Sequence, residues 1–420
     1  MADGRLRSVA LISLHTSPLA PLGGYKTGGM NVYVRELARE LGSRGITVDI
    51  FTRRESESQP EVDDSIGPNV HVMHVTAGGL GVADPNNLAG YTQDFAAGVH
   101  KYATRHNRGY DVIYANYWLS GKAAEILRRS WNIPVVQMFH TLGAMKNRIA
   151  NQPMIDPRVM GEMEIIRHAD RIVAATQAEY TQLLWLYRAD RRKVSIVPPG
   201  VDAARFAPIP RHTARATVGL REDQRMMLFV GRLEPLKAVD TIVKAASLLQ
   251  EADPAVLKGV RFMIVGGDAH NPERRKLAAL AESLGVSHMI DFAGSKDHTQ
   301  LPYYYSAAEA LLMPSDYESF GMAALEAMAS GTPVIASGVG GLQYLIRDGE
   351  TGYLIPVRDA EALAMRLCQL LSNPRERARM GANAATVALD YDWKIIAGKL
   401  IDVFLEAQRA RKPQKPAASS

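Results

Sequence analysis

Apolar positions fall along the chain as short continuous runs, separated by longer stretches in which apolar residues recur at helical spacing. Val9–Leu14, Val48–Phe51, Val70–Val75, Val112–Tyr114, Val135–Phe139, Ile172–Ala175 and Ser195–Val197 are too short for helices, and the runs predict strands. Between them, Met30–Leu41 sets Val32, Leu37 and Leu41 among charged residues, and Gly121–Ser130 is a second helical stretch. Pro198, Pro199 and Gly200, followed by Pro208 and Pro210, interrupt the pattern and predict a linker. The pattern then restarts with Met226–Val230, Arg261–Val265, Met289–Phe292, Ala310–Met313, Val334–Ala336 and Tyr353–Ile355, with helices between, the first running on from Val239. Strand–helix alternation, met twice, predicts an α/β protein of two doubly wound, Rossmann-like parallel sheets. The expected division is an N-terminal domain over 1–200 and a second domain over 201–385. A C-terminal helical segment, 386–410, is expected to pack back toward the N-terminal domain, with Trp393–Gln408 its amphipathic part. The Pro-, Lys- and Ser-rich tail 411–420 is expected to be disordered.

Length and charge narrow this picture. A chain of 420 residues exceeds one ordinary core, which agrees with two or more domains. The net charge of +5 is carried largely by Arg409, Arg411, Lys412 and Lys415, so the isoelectric point near 9.1 is mostly a tail effect and no nucleic-acid partner is expected. The single cysteine, Cys368, excludes an internal disulfide and a cysteine-based metal site. No run approaches 18 apolar residues, and Val9–Leu14 is too short for a signal-peptide core, so the expectation is a cytoplasmic protein without membrane insertion.

Ligands of open α/β sheets bind beyond the C-terminal ends of the strands, so the loops there are the places for chemistry. After the first strand comes Gly23-Gly24-Tyr25-Lys26-Thr27-Gly28-Gly29-Met30, which opens a helix. Its glycines let a ligand approach the backbone, and amides at a helix start attract phosphate; the plainer reading is a flexible loop. It is neither a Walker A loop nor G-x-G-x-x-G. After the first strand of the second domain, Gly231-Arg232-Leu233-Glu234-Pro235-Leu236-Lys237 offers a guanidinium fork and a movable ammonium that can converge on a diphosphate, or two solvated surface cations. Glu318 and Glu326 stand eight positions apart; if Glu318 lies in the loop and Phe320 opens the helix, Glu326 falls under two turns into it. Both can meet one elongated ligand, or be an ordinary surface and N-terminal glutamate. His140 in Phe139-His140-Thr141-Leu142-Gly143 ends a strand, where a proton carrier or a merely structural imidazole fits. Asp390-Tyr391-Asp392 has the D-x-D form of a metal clamp but directly precedes a helix, and is read as a cap. No H-E-x-x-H, G-x-S-x-G or EF-hand loop is present, and no metal site is expected.

Taken as a set, the Gly28-Gly29 loop, Gly231-Arg232 with Lys237, and Glu318 with Glu326 followed by Ser330-Gly331-Thr332-Pro333-Val334 resemble the family-4 retaining glycosyltransferases of GT-B fold, over about residues 8–405. Within that family, His15–Leu19, Gly28–Val34, Tyr117–Gly121 and His140–Leu142 look like the D-inositol 3-phosphate glycosyltransferases, with sucrose-phosphate synthases as the neighbouring subgroup. The resemblance implies a UDP-sugar donor and no further cofactor. It implies a donor diphosphate on Arg232, Lys237 and the backbone of Gly28 and Gly29, with Gly231 beside them. Glu326 would take the ribose hydroxyls. Glu318 and the amides of Phe320, Gly321 and Met322 would take the transferred sugar, with His140 near the reacting carbon. Asn31, Tyr117 and Thr141 match the acceptor side. The resemblance also implies two cations for an acceptor phosphate, but the loop Gly78–Ala89 has no Lys or Arg and Met160–Glu164 is acidic. Lys146 and Arg148, which follow the His140-Thr141 strand end, are therefore the expected phosphate ligands. The expectation is a retaining transfer of a hexosyl group to a small sugar, sugar phosphate or cyclitol phosphate. A UDP-sugar 2-epimerase of the same architecture and a non-catalytic two-domain sugar-binding protein are the alternatives; the first needs more acid–base groups than His140 and Glu318, and the second an export signal.

Overall fold

The computed structural model describes residues 5–20, 28–81 and 83–411; the loop residues up to Thr27, Lys26 among them, and the tail from Lys412 lie outside these. The chain divides into two units. The first holds the described residues up to Ala20, Met30–Pro198 and those from Lys394 on; the second holds Pro199–Trp393 together with Gly28 and Gly29.

The first unit is built on an eight-stranded sheet of β1 (Ser8–Ile12), β2 (Thr47–Arg53), β3 (Val62–Asp63), β4 (Val70–Val75), β5 (Val112–Asn116), β6 (Val135–Met138), β7 (Arg171–Ala174) and β8 (Val194–Ile196), in the order β3-β4-β2-β1-β5-β6-β7-β8. All neighbours run parallel except the two-residue β3, which pairs antiparallel with β4 at the edge. The second unit has six parallel strands, β9 (Arg225–Val230), β10 (Val260–Val265), β11 (Ile290–Gly294), β12 (Ala308–Met313), β13 (Val334–Ser337) and β14 (Gly352–Ile355), in the order β11-β10-β9-β12-β13-β14. Helices cover both faces of such sheets, so central strands are mostly apolar: Val9 to Ile12 and Val48, Ile50 and Phe51 have no exposed surface, with Asp49 a buried polar exception in β2. That is why these strands stand out as continuous apolar runs rather than as alternation.

Among the parallel strands of each sheet the order reverses once, beside β1 in the first and beside β9 in the second, and the crevice beyond such a point is where ligands of this architecture bind. The loops after β1, β5 and β6, and those after β9 and β12, carry nearly all the candidate residues.

The C-terminal helix is Trp393–Arg411, so it starts later than residue 386; the preceding turns belong to the helix Pro374–Ala388 and a short 3-10 segment, Leu389–Tyr391. Its buried stripe Ile396, Leu400, Phe404 and Ala407 repeats at helical spacing. Phe404 packs edge-on against Tyr114 of β5, with ring centroids 5.1 Å apart. Arg411 donates to the carbonyl of Ile133, and Gln408 to that of Asp111. Among the described residues no helix is long and apolar enough to cross a membrane.

Candidate active site

In the second unit the chain leaves β9 at Gly231, whose amide donates to Val265 O at 3.0 Å. Gly266, at φ +134°, packs so closely here that a Cβ would stand 1.8 Å from Gly231 O. Arg232, exposed, pairs with Glu234 at 3.0 Å. Its Nε lies 3.8 Å from where a Gly28 Cβ would be, and a Cβ on Gly29 would come 3.1 Å from Met322 Cγ. Gly28, Gly29, Arg232 and Met322 are thus neighbours, although they stand some 300 residues apart at the extremes. A 3-10 turn, Pro235–Lys237, then turns Lys237 inward. Its Nζ donates to Glu318 Oε2 at 2.5 Å, and both side chains are largely buried, at 16% and 15% exposure.

Glu318 lies in the loop after β12. Its carbonyl accepts from the amide of Gly341 at 3.0 Å, and Gly340 passes so near, at φ +49°, that a Cβ would stand 1.8 Å from that carbonyl. The following helix is Met322–Ala329, not one opened by Phe320. Gly321 takes the N-cap position at φ +104°, which a side chain would resist, and Phe320 is buried against Tyr391. No side chain caps the helix, and the first amide bonded back into it is that of Leu325. The first-turn amides therefore form an anion-attracting end.

Glu326 is the fifth residue of this helix and is only 5% exposed. The reading that gives it to ribose hydroxyls meets a carboxylate already engaged on both oxygens. Oε1 lies 2.8 Å from His298 Nε2, and Oε2 accepts from Tyr305 OH at 2.9 Å. Burial and the neighbouring carboxylate push the Tyr305 phenol far up, so it stays a donor. These contacts offset the cost of burying a carboxylate on an apolar helix, and each oxygen keeps a second lone pair for a ligand. His298 and Tyr305 are neighbours of Glu326 that the sequence reading did not single out.

In the first unit, three strand ends meet. Tyr117, just after β5, has φ +76°, a strained value for a bulky residue. Its ring lies 4.3 Å from that of His15, after β1. His140, after β6, also has positive φ, at +61°; its Nε2 lies 2.9 Å from Asn116 Oδ1 and its ring meets Tyr33 edge-on at 4.9 Å. Burial lowers the His140 pKa to about 3, so the imidazole is neutral at physiological pH. A neutral ring there is a hydrogen-bonding group rather than a resident acid. Asn31, buried on the helix Gly29–Ser43, donates to Thr16 Oγ1 and Ser17 O, both at 2.6 Å, and so ties the loop after β1 to that helix.

The cation at Thr141 is one that the sequence reading missed. Arg158 Nη2 donates to Thr141 O at 2.6 Å and to Thr141 Oγ1 at 3.1 Å, and its guanidinium lies 4.9 Å from the centre of the Tyr117 ring. Burial works against its charge, but the Glu162 carboxylate, 2.8 Å from Nε, helped by Tyr117 and Tyr187, more than offsets it and the pKa rises. Glu162 is itself fully buried, accepting from the Gly143 amide and from Tyr187 OH. The acidic segment 160–164 is thus the seat of a cation two residues before it. Lys146 and Arg148 fall in the last turn of the short helix Gly143–Ile149, two residues apart and so on different sides of it, with Arg148 exposed.

Residues 28–200 match the glycosyl transferase 4-like domain, and 210–387 match the glycosyl transferases group 1. The D-inositol 3-phosphate glycosyltransferase of Actinosynnema mirum is 40% identical over 409 residues, 96% of this chain and 98% of that protein. The chain belongs to the group 1 glycosyl transferases. A second D-inositol 3-phosphate glycosyltransferase, from Kineococcus radiotolerans, is 40% identical and covers 98% of both chains. Among solved structures, sucrose-phosphate synthase of Thermosynechococcus elongatus superposes with a TM-score of 0.85 at 33% identity, over 94% of this chain and 97% of that one. Anabaena HepE in complex with UDP and glucose shares the fold at 19% identity and a TM-score of 0.70, over 95% of this chain and 99% of that one. This glycosyltransferase is therefore a two-domain protein of GT-B fold, as the motifs imply.

Proposed function

We propose that this enzyme moves a hexosyl group from a UDP-sugar to a phosphorylated polyol, a sugar phosphate or cyclitol phosphate, with retention of configuration and without a metal. The donor half rests on Arg232, Lys237 and the uncapped start of Met322–Ala329, beside Gly28 and Gly29. Breaking the sugar–phosphate bond leaves an oxocarbenium-like sugar and an extra negative charge on UDP. Two fixed cations and a helix start answer that charge, and preorganised electrostatics of this kind are usually the largest catalytic term. Glu318 and the Phe320–Met322 amides take the transferred sugar, and Glu326 the ribose. His140, neutral, donates or accepts a hydrogen bond near the reacting carbon, and the departing phosphate oxygen takes the acceptor's proton. Relatives named for inositol 3-phosphate and sucrose phosphate agree with a phosphorylated acceptor.

The observation that carries the acceptor half is the Arg158 guanidinium, anchored by buried Glu162 and laid against Thr141 and Tyr117. A fork held this way matches phosphate oxygens. Asn31 supports the same wall, while Lys146 and Arg148 stand as outer contacts. The test measures UDP release with matched acceptors, inositol against its 3-phosphate and fructose against its 6-phosphate. The phosphorylated member is expected to be preferred. In R158Q/E162Q, which removes both charges and leaves neither buried alone, the preference should fall about tenfold or more. Equal use of both members by the unmodified enzyme overturns the acceptor reading. Turnover lost on chelation and restored by a divalent ion overturns the metal-independent one.

A further inference from the structure

The other edge of the second sheet, where strands begin rather than end, opens into a cavity of about 710 Å³. It is walled by the starts of β9 and β12 and by the chain around Arg211, Thr332 and Arg377. Four arginines line it, Arg211, Arg215, Arg225 and Arg377, against two glutamates, Glu222 and Glu309.

Glu309 organises the cluster. Ala308 pairs with Met226 and Ala310 with Met227, so Glu309 is the extra residue of a bulge in β12. Bulges re-aim side chains, and this one directs a carboxylate only 1% exposed at two guanidiniums, Arg211 and, at 2.6 Å, Arg377. The remaining cations are fixed by neutral partners. Arg215 donates to the carbonyls of Arg221, Glu222 and Gln224, and Arg225 to those of Val256 and Lys258. Carbonyls hold a guanidinium in place without cancelling its charge. Burial is the main cause that lowers the Arg377 pKa; Glu309 beside it works the other way, and Arg211 and Arg225 add smaller repulsions.

We propose that this cavity is a second anion site, binding a small phosphorylated molecule apart from the donor and acceptor groups. Guanidiniums held in fixed forks suit phosphate oxygens, and the volume falls in the range of small-ligand pockets. The inference does not depend on which sugar or acceptor the enzyme uses.

Inorganic pyrophosphate and glycerol 3-phosphate, titrated calorimetrically into the full-length R232A/K237A protein, test it with the donor loop disabled. Saturable binding of either that also responds to substitution in this cavity supports the site, pyrophosphate alone pointing to a diphosphate and glycerol 3-phosphate to an organic monoester; binding indifferent to those substitutions belongs to Arg158 and overturns it. R211Q added to this background should weaken binding about tenfold or more, as for a lost charge-assisted contact. E309Q removes the carboxylate that competes for the guanidiniums and should tighten binding. Should R211Q melt early, the E309Q arm decides. No binding of either probe at millimolar concentration, or affinity unchanged in both variants, overturns the proposal and leaves Glu309 a purely structural partner of its arginines.

Discussion

Lys237 and Glu318 neutralise each other at 2.5 Å, and that pairing constrains what each can do alone. On the proposed reading, a donor diphosphate draws Lys237 from Glu318 or shares it. Lys237→Ala is expected to lower turnover about 10²-fold, the usual cost of removing a donor aimed at developing charge, and to lower the melting temperature because Glu318 keeps its largely buried charge without a partner. Near-normal turnover in steady-state assays would remove the leaving-group role. His140 supplies a pH prediction. Its folded-state pKa, about 3, lies below the ordinary value of 6.5. As pH falls through 6.5 the unfolded chain takes up a proton that the folded chain refuses. The stability owed to this residue is therefore fully present above pH 6.5 and is lost progressively toward pH 3. His140→Asn keeps a residue that tolerates positive φ but does not titrate, so urea unfolding at pH 4.5, 5.5 and 7.5 should show a shallower acid slope. An unchanged slope would mean that His140 is protonated in the folded state.

At the level of elements, the loop that presents Glu318 is held from behind by Gly340 and Gly341, neither of which stands among the ligand-facing candidates. Gly340→Ala would place a Cβ in the space of Glu318 O and force positive φ on an alanine. The variant is expected to lose about as much turnover as Glu318→Ala, at least 10-fold, since misplacement of about 1 Å costs on the order of 10²-fold. Turnover close to the parent's in Gly340→Ala would show that the loop does not need this backing. The same elements explain what could be read in the chain. The strands were legible because burial on both faces leaves continuous apolar runs, whereas β3, two residues at an edge, gives no periodicity. The helix Pro157–His168 had its signal in Asp156-Pro157, an N-cap followed by proline, and Gln177–Tyr187 had one in Thr176 with Glu179 three residues on. Arg232, Lys237 and Glu318 stood out as candidates because each lies in a loop that follows a strand, and Glu326 because of its spacing from Glu318. Arg158 did not, because its bond to Thr141 is made across 17 residues by tertiary packing. His298 and Tyr305 were hidden for the same reason, reaching Glu326 from other elements.

The whole molecule is not two successive beads. The first unit is complete only with the residues from Lys394 onward, which lie beyond the entire second unit in sequence. Ile396, Leu400, Phe404 and Ala407 contribute a fully buried stripe to it. Burying a large apolar side chain of this kind is worth roughly 2–5 kcal/mol in truncation series. A chain ended at Trp393 is therefore expected to lose amide-exchange protection in β5, around Tyr114, while β9 and β12 keep theirs. Equal protection of β5 in the short and full chains would refute this. The order of synthesis acquires a meaning from the same feature. Domains generally fold as they leave the ribosome, N-terminal first, but here the unit made first must wait for the last helix of the chain. At about 5–20 residues per second, the roughly 200 residues in between take on the order of 10–40 s. For that interval the nascent first unit carries the bare seat of Phe404, a surface for chaperones to hold and a point at which crowded polysomes can cross-associate.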